Sequence, residues 1–421
     1  MERLFHEQSP TNSPADSGAE KHKSDRLELP GISRRCDSPS LLALTDFSSS
    51  TRTTGFAGSA GSNGGFFVDS PVLSSACSSG ESPQLGSPSN VESMSKRDFD
   101  VVSLIGYGHS GTFVQLVKAR KDGEYFAMKT VDKWSLIERR NLGDAKAIDR
   151  ASAERDLHVT LCKEESCPYF VKLFYSFQSP RHLYFILEYC PCDVLEYINQ
   201  HGPLSVEEAI LFVAELSSAV DHLHRSGSIH RDIKTDNILV SRNGHVRLSD
   251  FGSSKRFETE ERRCDSVVGF SLSIMPPEFF SGFPSYGSAI DWFQVGICAF
   301  EVLTGRPPFN GRPLKSLDSP DYPPSWPEQI NIPTEVKAFV EALLHPDEAV
   351  RLNSFETVKR VPAFSGVDWK AVLAGSSHAC GFPHVCNREE QALFVTPRMM
   401  SSVSSDDYDV LPLQSFSYSR P

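Results

Sequence analysis

The chain has 421 residues, 39% of them hydrophobic, and a net charge of −12 from 42 basic and 54 acidic side chains. That length allows two or three domains with a sizeable core. The acidic balance argues against nucleic acid as a partner, because that affinity comes from neutralising phosphates. No run of about 18 apolar residues is present, which argues against a transmembrane anchor, and Met1-Glu2-Arg3 opens neither an apolar signal core nor a myristoylation site. The ten cysteines therefore read as reduced thiols of a cytoplasmic protein, with nuclear or cytoskeletal association left open.

Residues 1–95 are rich in serine, glycine and proline and show no sustained period of 2 or 3.6. Ordering each residue costs about 1–2 kcal/mol, and this composition buries too little to offset it. The segment is expected to be disordered. Ser9, Ser13, Ser38, Ser70, Ser82 and Ser87 each precede a proline, a pattern open to proline-directed phosphorylation and common in solvated tails.

From Phe99 the pattern changes. Val101, Leu104 and Ile105 lead into Gly106-Tyr107-Gly108-His109-Ser110-Gly111. A dinucleotide fingerprint of this type opens a helix. Here Thr112 to Lys118 is rich in strand formers, so the spacing predicts strand, glycine turn, strand, with glycines that let backbone approach phosphates. The next predicted strand, Tyr125 to Val131, carries Lys129 among apolar residues. A lysine there needs an anionic partner, and the helix-prone stretch 150–157 offers Glu154.

Ser205 and Glu208 form a capping-box pattern, followed by a helix face at Ile210, Val213, Leu216, Val220 and Leu223. Then comes His230-Arg231-Asp232-Ile233-Lys234-Thr235-Asp236-Asn237, and 13 residues past Asn237 stands Asp250-Phe251-Gly252. Phosphoryl transfer needs metal ions on the phosphates, a group to orient the incoming hydroxyl and cations on the transferred group. Asp250 and Asn237 are oxygen donors suited to magnesium, Asp232 can orient the hydroxyl, and Lys234 can neutralise the γ-phosphate.

Taken in order, these residues resemble the protein kinase signature. The resemblance covers about residues 97–365 and implies an α+β bilobal fold: a small antiparallel β lobe with a regulatory helix, a larger helical lobe, and ATP and Mg²⁺ between them. It implies a catalytic domain at 96–365 and a tail at 366–421. It also implies ATP contacts from Ile105, Gly106, Gly108, Gly111, Val114, Ala127, Lys129, Glu188, Asp193 and Leu239, with adenine near Glu188 and Tyr189. Asp291 resembles the aspartate that holds the catalytic loop, and Glu278 and Arg351 resemble a structural ion pair. Lys234 after Asp232 resembles Ser/Thr rather than tyrosine kinases.

Residues 168–177, Ser266-Val267-Val268-Gly269 and the tail resemble the AGC group, with some likeness to its phosphoinositide-dependent branch. Little chain remains here for the lipid-binding domain of that branch. In the tail, Ser405-Asp406-Asp407-Tyr408 resembles the active-site tether, and Leu413 to Tyr418 the hydrophobic motif, whose Phe416 would enter a small-lobe pocket. The resemblance implies phosphosites at Ser266 and Ser417, an upstream activating kinase, and a monomer. Asp193, Asp236 and Glu301 match positions that receive substrate arginines, so proteins with basic motifs are the expected substrates.

The chain also departs from the family. Phe270 to Ile274 replaces the usual segment after the glycine, so the threonine that bridges Asp232 and Lys234 is replaced by Ser271 or Ser273, and Thr235 stands where proline is common. A pseudokinase scaffold and an upstream kinase docking its clients' hydrophobic motifs are the rival readings. His378-x-Cys380 and His384-x-Cys386 nearly touch, a spacing that favours ordinary tail thiols over structural zinc. Cys264, if exposed, would be open to oxidation.

Overall fold

A computed structural model describes residues 94–108, 111–142, 144, 146–163, 167–257, 262–266, 271–280, 285–310, 322–376, 382 and 416–420. The Ser-Pro sites, the tether at 405–408, Leu413 and the His/Cys pairs at 378–386 lie outside the described residues.

The small lobe starts as an antiparallel meander of β1 (Phe99–Tyr107), β2 (Thr112–Ala119) and β3 (Tyr125–Asp132). Helix α1 (Lys133–Asn141) begins where Asp132 accepts the Trp134 N–H, and α2 (Ala147–Lys163) follows. Strands β4 (Leu173–Gln178) and β5 (His182–Glu188) complete a sheet ordered β1-β2-β3-β5-β4. A sixth strand, Tyr418–Ser419, pairs antiparallel with β4.

Alternation along the strands gives the sheet two apolar faces. On β5, Tyr184 and Ile186 join Phe99, Phe126 and Phe177 on one side. Leu183 and Phe185 point to the other, where Leu136, Ala151 and Phe416 cover them. Helix α2 buries Ala147, Ala151, Glu154, Arg155, His158 and Leu161, a helical stripe that turns Glu154 and Arg155 inward.

The hinge leads into β6 (Cys192–Asp193), α3 (Val194–His201) and α4 (Val206–Arg225). The capping box at the start of α4 forms in both directions, with Ser205 and Glu208 bonding each other's backbone N–H. Strands β7 (Ser228–Ile229), β8 (Ile238–Val240), β9 (Val246–Leu248) and β10 (Lys255–Arg256) frame the catalytic loop, in the pairings β6-β8-β9 and β7-β10.

Helix α5 (Ala289–Thr304) is the buried axis of the large lobe. Gly296 lets it meet α6 (Thr334–Leu343) closely, since a Cβ there would lie 2.8 Å from the Leu343 Cβ. Helices α7 (Phe355–Val358) and α8 (Trp369–Leu373) close the lobe. Its core runs past the expected boundary at 365: Val372 and Phe382 are buried in it, and Tyr169 donates its hydroxyl proton to the Val372 carbonyl at 2.6 Å. Among the described residues no helix is long and apolar enough to cross a membrane. The six described cysteines, at 162, 167, 190, 192, 264 and 298, are free thiols. Cys264 does not meet the exposure that oxidation would need. It is buried against Ile229, Tyr286 and Ile290, and exchanges both backbone hydrogen bonds with Tyr286, so it is not an exposed redox thiol.

Candidate active site

The glycine turn joins β1 to β2 as the strand-forming residues predict. Gly106 pairs with Val114, and Val114 with Lys129, so turn and lysine share one cross-strand row. The Gly108 N–H closes the turn on the Thr112 carbonyl at 2.9 Å. Gly111 adopts φ +72°, a left-handed conformation that favours glycine, and an added Cβ would crowd Asp132 and Ser135. Ile105 and Val114 are half-buried and Ala127 is buried. In the large lobe, Asp193 pairs with Leu239 across β6 and β8.

The Lys129 Nζ donates to Glu154 Oε1 at 2.6 Å and to Asp250 Oδ1 at 2.8 Å. Burial works against this ammonium, but the Asp250 and Glu154 carboxylates outweigh it and hold its pKa above the ordinary lysine value. The Lys129 charge in turn holds the Asp250 carboxyl well below the usual range. Asp250 has φ 58°, rare for a non-glycine residue. Such strain costs about 1–3 kcal/mol and persists where surrounding contacts impose it. Phe251, next to it, is buried against His158, Phe170 and His230.

Asp232 is the hub of the catalytic loop. Its Oδ1 accepts from the Ser271 hydroxyl at 2.6 Å, and its Oδ2 accepts from Asn237 Nδ2 at 2.8 Å and lies 3.2 Å from Lys234 Nζ. Lys234 also donates to the Ser271 oxygen at 3.0 Å. Ser271, rather than Ser273, therefore makes the bridge between Asp232 and Lys234. The Asn237 amide nitrogen donates to the Asp232 backbone carbonyl and to its Oδ2.

One face of α5 holds this loop from beneath. Asp291 accepts the N–H groups of His230 and Arg231, each at 2.8 Å, and a His224 ring nitrogen at 2.8 Å. Gln294 accepts the Ile233 N–H at 2.9 Å and donates to the Arg231 carbonyl at 3.0 Å. Glu301 accepts the Thr235 hydroxyl at 3.0 Å. Gln294 escaped the sequence reading, although it stands one helical turn after Asp291 on the same face.

Arg231 donates to the Ser266 hydroxyl at 3.1 Å and to Tyr286 at 3.0 Å. Glu278 and Arg351 form the two-pronged ion pair, at 2.8 and 2.9 Å. Asp236 is exposed and Glu301 half-buried. Asp193 accepts the Glu196 N–H at 2.7 Å, capping α3. Glu188 ends β5 with its side chain engaged: both its oxygens accept from Arg247 Nε at 3.1 Å, and its N–H donates to the Lys172 carbonyl. Phe416 is buried and Ser417 beside it is exposed.

Residues 99–362 match the protein kinase domain family. The serine/threonine-protein kinase AtPK2/AtPK19 of Arabidopsis thaliana is 34% identical over 341 residues, covering 77% of this chain and 68% of that protein. The RAC family serine/threonine-protein kinase homolog of Dictyostelium discoideum is 30% identical over 292 residues, covering 68% and 62%. The human serine/threonine-protein kinase MRCK gamma is 30% identical over 299 residues, covering 68% of this chain and 18% of its own. With the assembled lysine, glutamate and aspartates, these likenesses establish that the chain belongs to the protein kinase family, as a divergent serine/threonine kinase of the AGC type.

Proposed function

We propose that this kinase transfers the ATP γ-phosphate to Ser or Thr of proteins carrying arginine upstream of the acceptor, under the control of phosphates on Ser266 and Ser417. The observation that carries it is the Asp232–Ser271–Lys234 bridge, which orients the acceptor-side carboxylate and holds a cation beside it. Asp232 accepts a hydrogen bond from the substrate hydroxyl and fixes its angle of approach, and Lys234 meets charge on the transferred group. The Asp250 carboxylate and the Asn237 amide oxygen are hard donors that fit Mg²⁺, which keeps phosphate and water in its shell. When bound, that ion neutralises phosphate charge.

Carboxylates of Asp193, Asp236 and Glu301 support arginine selection, since a guanidinium meets carboxylates with paired hydrogen bonds. A phosphate on Ser266 would add about −2 charge beside Arg231, whose guanidinium already donates to that hydroxyl. An upstream kinase would supply it. The scaffold reading is disfavoured because Lys129 bonds Glu154 and Asp250, and Asn237 and Lys234 both meet Asp232. The client-docking reading is disfavoured because the chain's own Phe416 fills the small-lobe pocket.

Phosphate transfer from Mg-ATP onto a degenerate Ser/Thr peptide library tests the proposal, with Asp250→Asn beside wild type. The expected result is transfer by wild type alone, with arginine selected upstream. Transfer without any preference for basic residues would remove the substrate assignment. No transfer by Ser266-phosphorylated protein that still binds ATP would favour the scaffold.

A further inference from the structure

We infer that Thr235 is a positioning residue for substrate specificity: its hydroxyl orients the Glu301 carboxylate to receive a substrate arginine. The inference rests on the arginine-directed reading above. Within the catalytic loop, successive side chains diverge. Lys234 turns toward Ser271 and Asp232, Thr235 turns into the large lobe, and Asp236 turns to solvent. Thr235 is 2% exposed, and its one hydroxyl proton goes to Glu301 Oε2 at 3.0 Å.

The bond has a physical reason. Glu301 lies on the same α5 face as Asp291 and Gln294, but those two are held by backbone N–H groups of the loop, and Glu301 is not. Burial disfavours its charged form, the neighbouring Asp236 charge adds to that penalty, and the Thr235 hydroxyl opposes both. A hydroxyl donor therefore keeps a carboxylate, at a set rotation, where a residue without one would leave it turned or protonated. Asp236 and Glu301 then offer two carboxylates to one cation, and a planar guanidinium with five N–H donors fits that better than an ammonium. Threonine at this position is thus tied to what the site reads, beyond holding the loop.

The test compares full-length wild type, Thr235→Val and Thr235→Ser on two peptides. One carries the arginine that wild type selects, and the other has alanine there. Valine keeps the shape and removes the donor, and serine keeps the donor. The expected result is a fall of about tenfold in the arginine-to-alanine ratio of kcat/KM for Thr235→Val, the size of one lost hydrogen bond to a charged group, carried by KM. Thr235→Ser should restore the ratio. An equal loss on both peptides would make Thr235 merely structural and overturn the inference, even though wild type selects arginine. If wild type itself shows no arginine preference, the substrate assignment fails and takes the inference with it.

Discussion

The ring of Phe416 lies 5.3 Å from the guanidinium of Arg155, the residue next to Glu154. The same ring meets Phe185 edge-on at 5.4 Å, and the Phe416 carbonyl accepts the Ser176 hydroxyl at 2.7 Å. The end of the chain is thereby wedged between α2 and the sheet, one residue from the glutamate that holds Lys129. Any loss of that wedge acts directly on the helix that presents Glu154.

Phe416→Ala should therefore lower kcat and loosen α2. Removing a buried phenylalanine ring costs about 3–5 kcal/mol where the site cannot collapse. Hydrogen exchange across 147–163 should rise in the variant, and phosphotransfer should fall with it. A free hydrophobic-motif peptide should bind the variant and compete poorly with wild type. Normal exchange and normal activity in Phe416→Ala would separate the tail from catalysis.

Ser271→Ala removes the hydroxyl shared by Asp232 and Lys234. The carboxylate then has fewer restraints on its rotation, and the lysine loses a neutral acceptor. Positioned proton-handling groups contribute about 10²–10⁴ in rate. Loss of one restraint should lower kcat by about tenfold or more, with ATP affinity little changed, because the Ser271 hydroxyl bonds Asp232 and Lys234 and neither Lys129 nor Asp250. Ser271→Thr should keep most activity. Ser273→Ala should leave the bridge intact, and steady-state kinetics on the three variants would expose the reverse assignment.

Much of this site is legible from local sequence. Strand formers after Gly111 exclude a helix, a lysine inside an apolar strand needs a carboxylate, and Ser205 with Glu208 marks a helix start. Each of those depends on residues close in the chain or on a chemical need that one residue announces. What stays hidden depends on distant partners. Arg247 and Glu188 are 59 residues apart, and nothing local says that a hinge glutamate will be held by it. The choice of Ser271 over Ser273 turns on the short 3₁₀ turn at Leu272–Ile274. Gln294 bonds two loop groups some 60 residues away, and its helical phase relative to Asp291 was the one readable clue.

Gln294→Leu should show how much that third support contributes. The change leaves the Ile233 N–H and the Arg231 carbonyl buried without their partner. Each buried unsatisfied group costs about 1–3 kcal/mol. A fall of several degrees in Tm is expected, together with a lower kcat, since Arg231 and Ile233 flank Asp232. An unchanged melting curve would mean that water or a shifted loop satisfies both groups.

Glu301 supplies a pH test of substrate recognition. Burial lifts its pKa from 4.5 to about 7; the Thr235 hydroxyl opposes that shift and the Asp236 charge adds to it. The buried Cys298 thiol on its own helix is the other titratable group coupled to it. On the proposed reading a substrate arginine pairs with the charged carboxylate, so the competent fraction grows from roughly a tenth at pH 6 to roughly nine-tenths at pH 8. KM for an arginine peptide should fall by up to about tenfold over that range, and Glu301→Gln should flatten the curve. Stability carries the opposite sign. An acid whose pKa is raised by folding makes the fold less stable as pH climbs from about 4.5 to 7, because the unfolded chain releases its proton first. Wild type should thus lose thermal stability relative to Glu301→Gln across that window while gaining affinity for arginine peptides near its upper end. A wild-type KM that does not change between pH 6 and 8 would mean that Glu301 is already charged or does not touch the substrate, and the two cases part on whether Glu301→Gln raises KM at pH 8.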